Sequence, residues 1–283
     1  MIAYFDTAAF DQIYRKDGCS STDVAALRKA VYGRVLTLRL SPHHLEEVLL
    51  SRKASPQALS AQLRHTLSFA GLRQLLKPCE HLLIGDVRNY ATGGDADNPF
   101  LHGPIQDDYS SGIAELIESD GEEFTEEFRE ALMEVRRQKV SLTMLFERVR
   151  ATLQADDDFH EHGELSLPKL WEAHAERVVG AIAEEAGVRE QCRARGLEGL
   201  LGIRTVRAAA AMILTQISVP SSGVSIADNG AHHVIGAGAA GGIFVAGDER
   251  LRAALAPPAN AHLLSEGWEV IDLAEVLGRV GAR

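Results

Sequence analysis

The 283-residue chain has a mass of 30.7 kDa, with 46% hydrophobic and 24% charged residues, enough for one large or two ordinary domains with a real core. Nine prolines and no low-complexity tract exclude a disordered, collagen-like or disulfide-stapled chain. With 29 basic against 40 acidic residues the net charge is −11, so bulk charge gives no attraction to polyanions, and nucleic acid would need a local basic face or bound cations.

Cys19, Cys79 and Cys192 are odd in number, far apart and without C-x-x-C spacing, which points to reduced thiols and a cytoplasmic protein. The opening Met1-Ile2-Ala3-Tyr4-Phe5-Asp6 carries an acid where a signal peptide would be basic and then apolar, so no such leader is expected. Between Asp228 and Asp248 there is no acid, Lys or Arg, but Asn229, His232, His233 and six glycines dilute the stretch below a membrane span. No membrane partner is expected.

Ile2 to Asp6 is a short apolar run ending in a carboxylate, a first strand, and Thr7 to Tyr14 reads as helix. Ser21-Thr22-Asp23 opens a second helix that Gly33 ends, before a strand over Val35 to Leu40. Ser41-Pro42 is a cap followed by proline at the first helical position, so a third helix starts at the tip of strand two. Helical spacing runs from Ser55-Pro56 to Leu76, and Leu82-Leu83-Ile84 reads as a short strand or buried turn. Gly85 to Asp108, rich in Gly, Asp, Asn and Pro, reads as a long loop and a candidate lid. Helical periodicity returns over Glu115 to Gln154, breaks at Asp156 to Gly163, and resumes to about Gln191. Gly199 to Ile217 is a further helix, and α/β texture then returns: a helix over Asp228 to Ala240, a strand over Ile243 to Ala246, a helix over Asp248 to Leu255, a strand over Trp268 to Ile271 and a terminal helix.

Asp6, the Glu46/Glu47 pair, Asp228 and Asp248 all sit at strand ends or helix starts. In a parallel sheet those tips converge on one edge, where ligands of open α/β sheets bind. Clustered carboxylates repel unless a hard divalent cation lies among them, which makes Mg²⁺ or Mn²⁺ the natural partner. Taken singly, each acid is more often a helix cap than a ligand.

Three segments resemble the PIN-domain nucleases. Tyr4-Phe5-Asp6-Thr7 looks like that family's opening strand, and Ser41-Pro42-His43-His44-Leu45-Glu46-Glu47-Val48-Leu49 is similar to its second motif. Ala227-Asp228 and Phe244-Val245-Ala246-Gly247-Asp248 look like the third and fourth, while Ala8 and Ala246 stand where Asn and Thr or Ser are usual. The resemblance implies a three-layer α/β/α fold with a central parallel sheet, its discontinuous core being residues 1–53 and 198–283 and a mainly helical insertion filling 54–197. It also implies a metal-dependent nuclease acting on phosphodiester bonds, of RNA more than DNA, with Asp6, Glu47, Asp228 and Asp248 as metal-binding and catalytic residues. Leu45-Glu46-Glu47-Val48-Leu49 selects Glu47 as a Leu-x-Glu-apolar-apolar match, and Glu46 stays open as the alternative. Self-association or a protein partner also stays open. His232, four residues after Asp228, shares its predicted helical face and is placed to touch phosphate or a metal-bound water.

Competing patterns have blander readings. A catalytically inactive PIN-like binding module is the main rival. Gly236, Gly238 and Gly241 fit G-x-G-x-x-G, the fingerprint of a flavin or nicotinamide dinucleotide oxidoreductase, but only 42 residues follow, which favours close helix packing instead. His160-Glu161-His162 reads as a surface linker, and Arg136-Arg137-Gln138-Lys139, with Arg148 and Arg150, as a solvated helix face that could contact RNA.

Overall fold

Four short strands, β1 (Ile2–Phe5), β2 (Thr37–Arg39), β3 (Ile243–Val245) and β4 (Glu269–Ile271), make an all-parallel sheet in the order β2-β1-β3-β4. The computed structural model describes residues 1–50, 55–72, 74–94, 97–122, 125–155, 166–218, 230–263 and 268–281. Register is set by Ala3 opposite Leu38 and Ile243, and by Phe244 opposite Val270. The chain leaves β1 for β2 on one side and returns to β3 on the other, so the order reverses between β1 and β3. That reversal places a crevice beyond the carboxyl ends of β1 and β3.

Side chains alternate across the sheet with period two. Ala3, Phe5, Ile243, Val245 and Ile271 enter one core with α1 (Thr7–Arg15), α2 (Ser21–Tyr32), α4 (Pro56–Ala70), α6 (Pro104–Glu118) and the terminal α13 (Leu273–Gly281). Tyr4, Phe244 and Val270 enter the other with α5 (Cys79–Thr92), α8 (Leu167–Glu185), α10 (Arg204–Ser218), α11 (Ala231–Ala240) and α12 (Glu249–Leu255). The result is a three-layer α/β/α arrangement. The central helices share both cores with the sheet. The 29-residue α7 (Glu126–Gln154) gives Phe128, Leu132 and Val135 to the first core and Leu142, Phe146 and Val149 to the second. The residues between, Arg136 to Lys139, lie where it passes from one layer to the other. The short α9 (Arg189–Arg195) and the 3₁₀ turns Leu197–Gly202 and Pro258–Leu263 complete the described elements.

Local chemistry explains most boundaries. Ser20 and Asp23 form a reciprocal capping box on α2. At α3 (Pro42–Leu49) the cap is Ser41, and His44 takes the place usually held by Glu or Gln, its Nδ1 accepting the Ser41 N–H at 3.1 Å.

Two expectations are corrected. Leu82-Leu83-Ile84 lies inside α5, because Cys79, Leu82, Leu83 and Val87 form a buried helical face that tolerates Gly85. The expected loop from Gly85 to Asp108 shrinks to residues 93–103, since Pro104 starts α6. What is described of it is no free lid: Lys77 N–H donates to the Pro99 carbonyl and Leu101 N–H to that of Leu75, both at 2.8 Å. The polar break at residues 156–163, His160-Glu161-His162 and Asp228 lie outside the described residues.

The glycine pattern over 236–241 lies within and at the end of α11, the apolar pair Val234-Ile235 before it being helical, and α11 leads into β3. A dinucleotide fingerprint opens a helix directly after a strand, whereas these glycines serve close helix packing, as the sequence favours. A Cβ on Gly236 would lie 2.8 Å from the Tyr4 hydroxyl, and one on Gly238 2.9 Å from the Arg204 carbonyl oxygen. Gly236→Ala is therefore expected to lower stability by about 1–3 kcal/mol through overpacking, read from urea unfolding; a variant as stable as the parent would contradict this packing.

Candidate functional site

Asp6 stands at the tip of β1 as the N-cap of α1 and is buried. Its Oδ1 accepts the Ala9 N–H at 2.7 Å and the Gly247 N–H at 3.0 Å, while Oδ2 accepts Gly247 at 3.0 Å and Asp248 at 3.3 Å. A carboxylate offers about four lone-pair positions, and three backbone donors occupy them here. Asp6 thus ties the start of α1 to the turn after β3. Only glycine fits at 247, where a Cβ would sit 2.4 Å from the Ala9 nitrogen. Burial pushes the Asp6 carboxyl upward, against the opposing pull of His233 and the three amides.

Asp248 caps α12, its Oδ1 accepting from Arg250 N–H at 2.8 Å and Leu251 N–H at 3.1 Å. Glu46 is buried against Arg136, with 2.7 Å from Oε1 to Nε. Glu47, the next residue on α3, faces a different set of groups. His232 Nε2 lies 2.8 Å from its Oε1 and His233 Nε2 3.0 Å from its Oε2, and Lys139 of α7 is ion-paired to Oε1. Geometry therefore separates the two glutamates: Glu46 is a buried ion-pair partner, and Glu47 belongs to the histidine cluster.

Glu47, His232 and His233 present donor atoms all within 4.8 Å of one another, the one such group of three or more potential metal ligands among the described residues. Asp6 and Asp248 share the same sheet edge but stand outside that group, Asp6 with both oxygens and Asp248 with Oδ1 taken up by backbone N–H donors. The imidazoles are almost wholly enclosed, whereas Glu47 keeps 22% of its side chain exposed, which leaves a route in from solvent.

The cluster continues inward. Tyr4 Oη lies 2.9 Å from both His233 Nδ1 and Ser41 Oγ, Ser41 Oγ lies 3.2 Å from His44 Nδ1, and His44 Nε2–H donates to the Phe5 carbonyl at 2.6 Å. Thr7 Oγ1 is 3.2 Å from His233 Nε2. His43 accepts the Cys79 N–H on Nε2 at 3.1 Å, and its ring packs against His232.

Burial favours a neutral imidazole and works against an isolated carboxylate. Burial, reinforced by the neighbouring His233 imidazole, pushes His232 down to about 3. For Glu47, burial acts upward, but the electrostatic pull of His233 and His232 and the N–H donors they present outweigh it and hold the carboxyl well below its usual range. Glu47 is thus the ionised member and His232 a neutral one, the state in which imidazole binds metals.

Sequence reasoning singled out Glu47 and His232 but missed His233, Tyr4 and Lys139. The sequence places Lys139 on a solvated face, whereas in the fold it neutralises a site carboxylate. No family model, curated protein or solved structure matches the chain.

The buried imidazoles make metal-free stability acid-sensitive. Burial lowers His43 well below its usual value and His44 to about 3, against about 6.5 when unfolded. Their contribution is complete above pH 6.5 and is lost as pH falls toward 3, at roughly 1.4 kcal/mol per pH unit for each proton taken up on unfolding. Urea midpoints measured in chelator should fall steadily from pH 7 to pH 5; a flat profile there would contradict the neutral assignment.

Proposed function

We propose that the protein is a divalent-metal-dependent nuclease of PIN-like architecture that hydrolyses phosphodiester bonds, of RNA rather than DNA. The observation that carries this reading is the solvent-reachable meeting of Glu47 with His232 and His233 beside the crevice at the carboxyl ends of the parallel strands. Supporting it, Asp6 and Asp248 sit at the ends of β1 and β3 as in the family's motif order, and the choice of RNA rests on that resemblance.

Under this reading a divalent ion, Mg²⁺ or Mn²⁺ by the family likeness, supplies an acidified water and neutralises phosphate charge when bound. Glu47 holds the ion or accepts the proton of the attacking water. Lys139, whose side chain is 20% exposed, is placed to meet a phosphate oxygen. Asp6 keeps the edge in shape, and Asp248, with only Oδ1 spent on its cap, keeps Oδ2 for a water or second ion. The family likeness alone assigns Asp228, which lies outside the described residues, a place among the ligands.

A second reading, a catalytically silent PIN-like module that binds nucleic acid or protein, is favoured by the saturation of Asp6 and the pairing of Glu47 with Lys139. Glu47→Gln separates the two better than a change at Asp6, which would also disturb the Gly247 connection. The parent protein is expected to cleave end-labelled single-stranded RNA with Mn²⁺ or Mg²⁺ and not in chelator, and Glu47→Gln to slow cleavage by about 100-fold or more. No cleavage with either ion refutes the nuclease reading, and RNA retention without cleavage favours the silent module.

A further inference from the structure

We propose that Glu47, His232 and His233 form a transition-metal site that prefers Zn²⁺ to Mg²⁺, and that a hydrogen-bonded relay through Tyr4, Ser41 and His44 positions His233 as a ligand. The inference deepens the hydrolase reading and rests on it for the use of the ion, not for its binding.

The donor set comes first. Two imidazole nitrogens and one carboxylate are borderline ligands that suit Zn²⁺ and its neighbours, whereas Mg²⁺ demands oxygen donors and gives up water reluctantly. Two histidines, one glutamate and an open position make up a ligand set used by catalytic zinc. Both imidazoles already direct Nε2 at the same carboxylate, at 2.8 and 3.0 Å. They are neighbours in sequence, in the first turn of α11, with ring centroids 4.2 Å apart.

The relay is the independent observation. A ligating histidine nearly always donates its second N–H to a fixed acceptor, which sets its tautomer. At the far end of this relay the polarity is forced: a carbonyl only accepts, so His44 carries its proton on Nε2 toward Phe5, and its Nδ1 is an acceptor. Between His44 Nδ1 and His233 Nδ1 stand two hydroxyls, each able to donate one hydrogen bond and accept another.

Two consistent arrangements exist. In the first, Ser41 donates to Tyr4, Tyr4 donates to His233 Nδ1, and His233 Nε2–H donates to Glu47. In the second, His233 Nδ1–H donates to Tyr4, Tyr4 donates to Ser41, the Ser41 hydroxyl shares His44 Nδ1 with the Ser41 N–H, and the Nε2 lone pair of His233 is released toward Glu47. Both hold the same number of protons. Passing from the first to the second moves the His233 proton from Nε2 to Nδ1 and turns two hydroxyls, so His233 can present its lone pair to a cation with no proton lost from the relay; His232, whose Nε2–H also faces Glu47, must likewise carry its proton on Nδ1 to ligate.

The cation already beside Glu47 also has somewhere to go. Lys139 Nζ lies 3.8 Å from Glu46 Oε2, a buried oxygen that accepts no hydrogen bond from any described residue. A metal ion claiming Glu47 would leave Lys139 to Glu46 without stranding a charge.

The test uses the full chain stripped of metal. Calorimetric titration should give one equivalent of Zn²⁺ bound far more tightly than Mg²⁺, with Co²⁺ developing visible d–d absorption at the same stoichiometry. His233→Ala and Glu47→Gln should abolish both signals. Tyr4→Phe and Ser41→Ala should each weaken Zn²⁺ binding by about 10–100-fold at unchanged circular dichroism, and ¹⁵N spectra should place the His233 proton on Nδ1 in the Zn²⁺ form. Failure to bind Zn²⁺, or binding that survives His233→Ala, overturns the site. Full Zn²⁺ affinity in both Tyr4→Phe and Ser41→Ala overturns the relay. Mg²⁺-dependent RNA cleavage without Zn²⁺ binding would sink this inference and leave the nuclease reading standing; Zn²⁺ binding without cleavage would do the reverse.

Discussion

A carboxylate drawn into the interior must be matched by charge or by donors, and Glu47 is where this fold meets that requirement. Lys139 and two imidazoles surround it, and each comes from an element whose position is set by packing elsewhere. α11 is held close to β1 because Gly236 leaves room for the Tyr4 ring, and that closeness puts His232 and His233 within reach of α3. α7 must pass between the two cores before Lys139 can arrive. Loosening any of these contacts would leave an under-compensated buried charge, which costs several kcal/mol.

The second constraint is the edge itself. Asp6 binds amides from α1 and from the turn after β3, so one side chain fixes the geometry of the crevice at the point where the strand order reverses. Asp6 is thus a structural keystone beside the cluster, and Glu47 supplies the ionised oxygen that faces solvent.

Much of this was legible in the sequence. The four strands, the acids at their tips and the Ser41-Pro42 helix start follow from apolar runs, capping chemistry and a proline at the first helical turn. Asp6 could be placed at an edge, yet nothing in the sequence tells a cap from a ligand, because that depends on amides contributed from position 247. His233 was passed over since helical spacing from Asp228 pointed only to His232. A signal was present nonetheless: the histidine pairs His43-His44 and His232-His233 stand among apolar helix residues, Leu45, Val48 and Leu49 after the first and Val234 and Ile235 after the second, and polar groups so embedded need partners. Tyr4 offered the same hint as a hydroxyl within a buried strand. Lys139 left no such trace, since its role arises from the route of a long helix.

That helix carries one more implication. Its two halves are embedded on opposite sides of the same sheet, so neither layer can detach while the other keeps its half of α7 in place. The molecule is in effect riveted through its edge, and the rivet passes beside the cluster. Disorder starting in either layer would therefore be felt at the ion pair with Glu47, which ties the integrity of the pocket to the cohesion of the whole.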